Sequence, residues 1–168
     1  MNKQLSRQGF TFLIENAPLV SIDICIVYAG KILLGKRANA PARNYYFTPG
    51  GRIYKNEAWQ NAIERITAVE LGLDLKANQF KLMGVWDHFY EDSVFNEKKS
   101  THYVNLPHFV ELNEEPHFMA DEQHESLSWF NLHDCEHNSL IHPYTQNYIY
   151  WIIKQRSPCS IALSQLRS

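Results

Sequence analysis

Apolar and polar positions alternate in short blocks along this chain, and the period changes from block to block. Residues 19–29 (LVSIDICIVYA) and 31–37 (KILLGKR) are aliphatic runs on either side of Ala29-Gly30, the pattern of two strands around a tight turn. Residues 45–48 (YYFT) read as a short third strand. Residues 79–91 (QFKLMGVWDHFYE) predict a long aromatic-rich strand, followed by a polar loop over 91–100 and a partner strand over 101–112 (THYVNLPHFVEL). Pro107 has no N–H for a ladder, so it belongs at an edge or a bulge. Residues 113–125 carry a proline and are too polar for a strand, which predicts a loop; 127–132 (LSWFNL) is the final strand.

Helical spacing fills the gaps. Leu5, Phe12 and Leu13 mark a short helix within residues 4–16 that ends before Pro18. Residues 57–71 contain no breaker; Asn56 suits the N-cap, Glu57 the positive end of the dipole and Gly72 the C-cap. A C-terminal helix spans 144–154 behind Pro143, and 157–168 predicts a loose tail. Pro49-Gly50-Gly51 predicts a sharp turn before the middle helix, with bare backbone able to approach a ligand. A glycine turn feeding a helix suits phosphate and metal, because free backbone groups and a positive dipole end converge there. The whole reads as one α/β domain over residues 1–168.

Composition narrows the class. The chain has 168 residues, 45% hydrophobic and 20% charged, with a net charge of −2, which suits a single soluble globular domain. Without a Lys/Arg run, neither nucleic acid nor a membrane surface is expected as the main partner. Cys25, Cys135 and Cys159 are odd in number and lack C-x-x-C spacing, which points to a reducing, cytoplasmic setting. No apolar run is long enough to span a bilayer, and no signal-peptide core is visible. His133-Asp134-Cys135-Glu136-His137 invites a zinc reading, but no second ligand pair lies at a usual spacing.

Several residues stand out chemically. Asp23 interrupts an apolar strand, where a carboxylate is costly unless paired or at the rim of a site. Arg52 follows the glycines directly and is well placed to meet a phosphate; Arg37 ends the second strand. Trp86, His88, Tyr90, His102 and Tyr103 supply aromatic walls with hydroxyl and imidazole groups.

Gly51, Glu57, Arg65, Glu70, Gly72 and Leu73 fall at the spacings G-x5-E-x7-R-x4-E-x-G-U, with U a bulky aliphatic residue. This stretch, residues 49–73, resembles the Nudix box. Ile66 and Val69 stand where that family usually has further glutamates, and Thr67 replaces an aliphatic residue. Arg65, Ile66, Val69 and Glu70 are expected to share one helix face, so the face keeps one carboxylate. Residues 121–124 (DEQH) match a further stretch of a subgroup, the GDP-mannose mannosyl hydrolases, which the chain resembles from its N-terminal arm (1–17) to about Tyr150. The resemblance implies a Nudix fold, a mixed β-sheet sandwiched between α-helices.

It also implies an activity: Mg²⁺-dependent hydrolysis of a GDP-sugar, GDP-mannose or GDP-glucose, to GDP and free sugar. Water attacks the anomeric carbon with inversion. The Gly50 carbonyl, Glu70 and Gln123 would hold one Mg²⁺, or Mn²⁺ in its place, and His124 would be the base. Arg37, Arg52 and Arg65 would share the leaving-group charge, although Arg65 has the alternative of pairing with Glu57 to hold the turn. Asp23 would stabilise oxocarbenium-like charge or orient a hydroxyl, and Tyr103 and His88 match positions near the ligand. Gln4, Leu5 and Phe10 would form a guanine site at a homodimer interface, with Phe10 stacking on the base. Two rivals remain: an ordinary pyrophosphohydrolase acting at phosphorus, and a non-catalytic nucleotide-sugar-binding dimer.

Overall fold

The computed structural model describes residues 5–93, 99–117, 127–135 and 137–156. Helix α1 (Arg7–Asn16) is capped by Ser6, whose hydroxyl accepts from the Gly9 N–H. It leads into β1 (Leu19–Tyr28), the spine of the sheet. Strand β2 (Lys31–Lys36) returns through Ala29 and Gly30, whose φ values of 47° and 77° are those of the hairpin turn that matches strand twist. Strands β3 (Tyr46–Phe47) and β4 (Gly50–Arg52) precede α2 (Trp59–Leu71). Gly72 closes that helix at φ 67°, and the Gly72 and Leu73 N–H groups return to Ala68 and Thr67, the expected left-handed cap. Strands β5 (Lys81–Leu82), β6 (Trp86–Tyr90), β7 (Thr101–Asn105), β8 (His108–Leu112) and β9 (Leu127–Asn131) and helix α3 (Pro143–Arg156) complete the described chain.

Strand β1 pairs antiparallel with β2 and β4, and parallel with β7 and then β8. Strands β3 and β9 flank β2, β6 lies outside β7 and β5 outside β8. Ile22, Ile24 and Ile26 pack on Ala62, Ile63, Ile66 and Leu71 of α2, while Cys25 and Val27 pack with Tyr148, Ile149 and Ile152 of α3. One sheet therefore lies between helices, as the resemblance implied. A spine buried on both faces reads as a continuous apolar run, which is why Asp23 is conspicuous within it. No helix among the described residues is long and apolar enough to cross a membrane.

Four expectations are corrected. The strand expected over 79–91 is broken: a 3₁₀ turn (Ala77–Gln79) and β5 are separated from β6 by Gly84 at φ 133°. The strand expected over 101–112 divides at Leu106-Pro107, and the Pro107 carbonyl accepts from the Met83 N–H at 2.9 Å. Asn56 is not the N-cap. It adopts φ 64° in a turn, and α2 starts after Ala58.

The fourth correction concerns Gly50 and Gly51, which form a strand instead of a turn. Ile24 N–H bonds Pro49 O and Ile53 N–H bonds Val20 O. Gly50, opposite Asp23, therefore falls at a non-hydrogen-bonded position, where side chains of facing strands come closest. A Cβ on Gly50 would lie 2.5 Å from Asp23 Oδ1 and 2.6 Å from the Ile22 carbonyl oxygen. Glycine is needed here for contact between strands.

A graded stability effect follows. Gly50→Ala must displace β4 or Asp23 and should destabilise by about 1–3 kcal/mol, the usual range for overpacking. At Gly51 the nearest atom is Ile66 Cγ1, 3.3 Å from a built Cβ, so Gly51→Ala should cost less. Urea unfolding of the two variants checks this order, and equal midpoints would refute it.

Candidate active site

The loop between β4 and α2 is tied down by one ion pair. Arg65 Nε donates to Glu57 Oε1 at 2.6 Å and its Nη2 donates to Glu57 Oε2 and to the Arg52 carbonyl, at 2.9 and 2.8 Å. Glu57 also accepts from the Tyr54 N–H, and the guanidinium lies 4.1 Å from the Tyr54 ring centroid. The Arg65 hydrogen bonds hold the Glu57 carboxyl below its ordinary range. Arg65 thus straps β4 against α2. Glu57 serves that strap instead of the helix dipole.

The face of α2 also differs from expectation. Ile66, 1% exposed, turns into the core beneath Gly51, and Val69, 58% exposed, turns outward. Glu70 lines a cleft of about 280 Å³ together with Gly50, Thr48, Arg37 and Asn39. The four positions diverge because they span more than one side of a helix packed on a sheet. Glu70 and the Gly50 carbonyl, which points away from β1, are oxygen donors of the kind a hard divalent cation takes. Among the described residues no group of three or more His, Cys, Asp or Glu surrounds a common point. Substrate oxygens and water are further ligands that a cation here would take. Gln123 and His124 lie outside the described residues, as does Gln4.

A second lobe of about 120 Å³ joins the first through Arg37, Phe47 and Gly50. Asp23, Arg52, His88, Tyr90, Tyr103 and Asn105 line it. Arg37 is oriented by its Nε–H bond to the Pro41 carbonyl at 2.8 Å. Arg52 lies 4.2 Å from the centroid of the Phe10 ring. Phe10 itself is 6% exposed and clusters with Ile14 and Leu19. Its ring packs in this cluster and supports Arg52. Leu5 is exposed.

Asp23, 6% exposed, is held by neutral donors. Its Oδ2 accepts from Asn105 Nδ2 at 2.6 Å and from the Tyr148 hydroxyl at 2.9 Å. Tyr148 Oη lies 2.9 Å from His88 Nε2, and His88 Nδ1 lies 3.3 Å from Asn105 Nδ2. Hydrogen-bond logic fixes the tautomer. The tyrosine proton goes to Asp23, so His88 donates through Nε2–H and accepts Asn105 at Nδ1. Burial pushes Asp23 up to about 6, opposed by its bonds to Tyr148 and Asn105 and by Arg37. Burial, aided by His142, pulls His88 down to about 4, so the ring is neutral at physiological pH. Tyr144 stacks on it, with centroids 3.9 Å apart.

The sequence pattern does not single out Asn105, Tyr144 or Tyr148, which the fold brings to Asp23 and His88. A signal existed for some of them: Asn105 is two residues beyond Tyr103 on one strand, and Tyr144 and Tyr148 are one helical turn apart. His102 instead bonds Asp87 at the surface, and Trp86 packs on Tyr148. Cys135 is buried and its thiol donates to the Asn131 carbonyl.

The chain is similar to several known proteins. The low-salt glycan biosynthesis protein Agl8 of Haloferax volcanii is 36% identical over 137 residues, covering 82% of this chain and 83% of that protein. A MutT NUDIX hydrolase from Burkholderia pseudomallei superposes with a TM-score of 0.67 at 28% identity, over 82% of this chain and 99% of that one. The NUDIX domain of Shewanella oneidensis NrtR, solved with ADP ribose, shares the fold alone: TM-score 0.65 at 13% identity, over 91% of this chain and 100% of that one. A family model described as the NUDIX domain matches residues 18–152, and the chain belongs to the Nudix hydrolase family.

Proposed function

We propose that this Nudix hydrolase cleaves a GDP-sugar, GDP-mannose or GDP-glucose, at the anomeric carbon. The observation that carries the reading is the division of carboxylates between two joined lobes. Glu70 is in the lobe with Arg37 and Gly50, whereas Asp23 is in the lobe walled by Tyr90, Tyr103 and His88. The first suits a diphosphate and the second a polyhydroxyl ring. A family member acting at phosphorus activates water beside several box glutamates, and here two of those positions are apolar. The similarity to a glycan biosynthesis protein favours a sugar nucleotide.

In this reaction a water oxygen bonds the anomeric carbon as its bond to the diphosphate oxygen breaks. GDP departs with the electron pair, and one displacement inverts the centre. His124 takes the water proton, and Arg37 and Arg52 share the leaving-group charge. Asp23, ionised at neutral pH and partly fixed through Oδ2, stabilises positive charge developing on the ring. Gly50, Glu70 and Gln123 are the residues that would hold Mg²⁺ or Mn²⁺, which supplies charge neutralisation at the diphosphate. The protein acts as a homodimer in this reading, with Leu5 and Gln4 near the guanine.

Hydrolysis in ¹⁸O-labelled water tests the bond broken. The label should enter the anomeric hydroxyl and leave GDP unlabelled; label in phosphate would restore chemistry at phosphorus. Glu70→Gln should lower turnover and weaken the Mg²⁺ dependence, and an unchanged Mg²⁺ titration would remove Glu70 from the metal site.

Asp23→Asn separates chemistry from stability. The Asp23 pKa rises from 3.8 to about 6 on folding, so burial opposes folding fully above pH 6 and not at all below 3.8. The variant should lose about 10²-fold in kcat, as removal of a charge-stabilising group does. It should unfold later than the wild type at pH 7.5, by on the order of 2–3 kcal/mol, and the gap should close as pH falls towards 4. Urea unfolding in EDTA reads the gap, and a gap independent of pH would contradict the burial argument.

A further inference from the structure

Three buried side-chain oxygens have no hydrogen-bond partner among the described residues: Thr48 Oγ1, Thr145 Oγ1 and Asn105 Oδ1. A threonine hydroxyl rotates to donate or accept, so it says little about what would satisfy it. A carboxamide oxygen only accepts, and leaving one buried and unmatched is unfavourable. Asn105 is 2% exposed and lines the Asp23 lobe of the cleft.

The orientation of this carboxamide is dictated by its neighbours. Its Nδ2 faces Asp23 Oδ2 at 2.6 Å and His88 Nδ1 at 3.3 Å. Flipping the group would set an oxygen against a carboxylate oxygen and against a ring nitrogen that has no proton. That nitrogen lacks a proton because Nε2–H serves the Tyr148 oxygen, whose own proton serves Asp23. The Asp23 charge thus runs through Tyr148 and His88 to fix Asn105, with both amide protons engaged and the oxygen left over. Only a donor can satisfy Oδ1, which excludes a phosphate oxygen or an ionised carboxylate from that position.

We propose that Asn105 reads the sugar: its Oδ1 accepts a hydrogen bond from one hydroxyl of the bound ring and thereby sets which sugar is turned over. The inference rests on the GDP-sugar reading above. A site built to bond a hydroxyl discriminates strongly against an analogue lacking it, because its own polar group is then left buried and unpaired.

The test is kcat/KM for GDP-mannose, GDP-glucose and the mono-deoxy analogues of the preferred one. The wild type should reject one analogue, deoxy at a single position, by about 10²-fold or more. Asn105→Ala should bring that ratio to about 1 while keeping the ratios at the other positions, and inhibition by GDP alone should be unchanged. A purely structural role would lower all rates by a common factor, and that result overturns the proposal. If Asn105→Ala does not fold, the wild-type panel decides alone, since indifference to every deoxy analogue is equally fatal. An enzyme inert on all GDP-sugars overturns this inference together with the functional reading. Label in phosphate alongside intact deoxy discrimination removes only the bond assignment and leaves Asn105 as the sugar reader.

Discussion

A carboxylate sits in the middle of the central strand, where apolar side chains occupy most positions on both faces. Desolvation alone would expel it or keep it protonated. The fold instead brings three separate segments to it. Asn105 comes from β7, Tyr148 from α3, and β4 approaches with no Cβ at Gly50. Each of these elements has its own apolar reason to pack on β1. Asp23 adds the requirement that they arrive in one register, because a one-residue slip of β1 would turn its carboxylate towards Ile63 and Ile66 of α2.

The middle helix shows the complementary arrangement. Its inward side is given to the core through Ile63 and Ile66, and its strap to the preceding strand is made by Arg65 and Glu57. Glu70 alone remains from the box glutamates of this face, bordering the cleft. An aliphatic side chain at Ile66 carries no charge to desolvate and packs directly under Gly51.

Local features were legible in the sequence where the cause was local. The Ala29-Gly30 hairpin, the Gly72 cap and the order of strands and helices each follow from a few neighbouring residues. Gly50 was misread because the same absence of a side chain serves a turn or a tight strand crossing, and only the facing residue decides between them. The two long strands were misread because an uninterrupted aromatic pattern says nothing of a break at Gly84 or of which partner each half will take. The packing of Phe10 against Ile14 and Leu19 depends on where α1 docks, which the local pattern of the arm does not show. Asn105 and Tyr148 contact Asp23 across 82 and 125 residues of sequence, a separation no periodicity spans.

That last separation has a bearing on incomplete chains. Tyr148 carries one of the two protons that Asp23 Oδ2 receives from side chains, and the aromatic ring it shares with the core comes from the same helix. A fragment ending before α3 therefore has more than an open hydrophobic face. It has a half-solvated charge in its central strand, a polar fault that water would enter. Docking of the last helix gives Asp23 its second donor and seals the core in one step, so quality control that recognises exposed core also removes protein whose buried carboxylate is half-partnered.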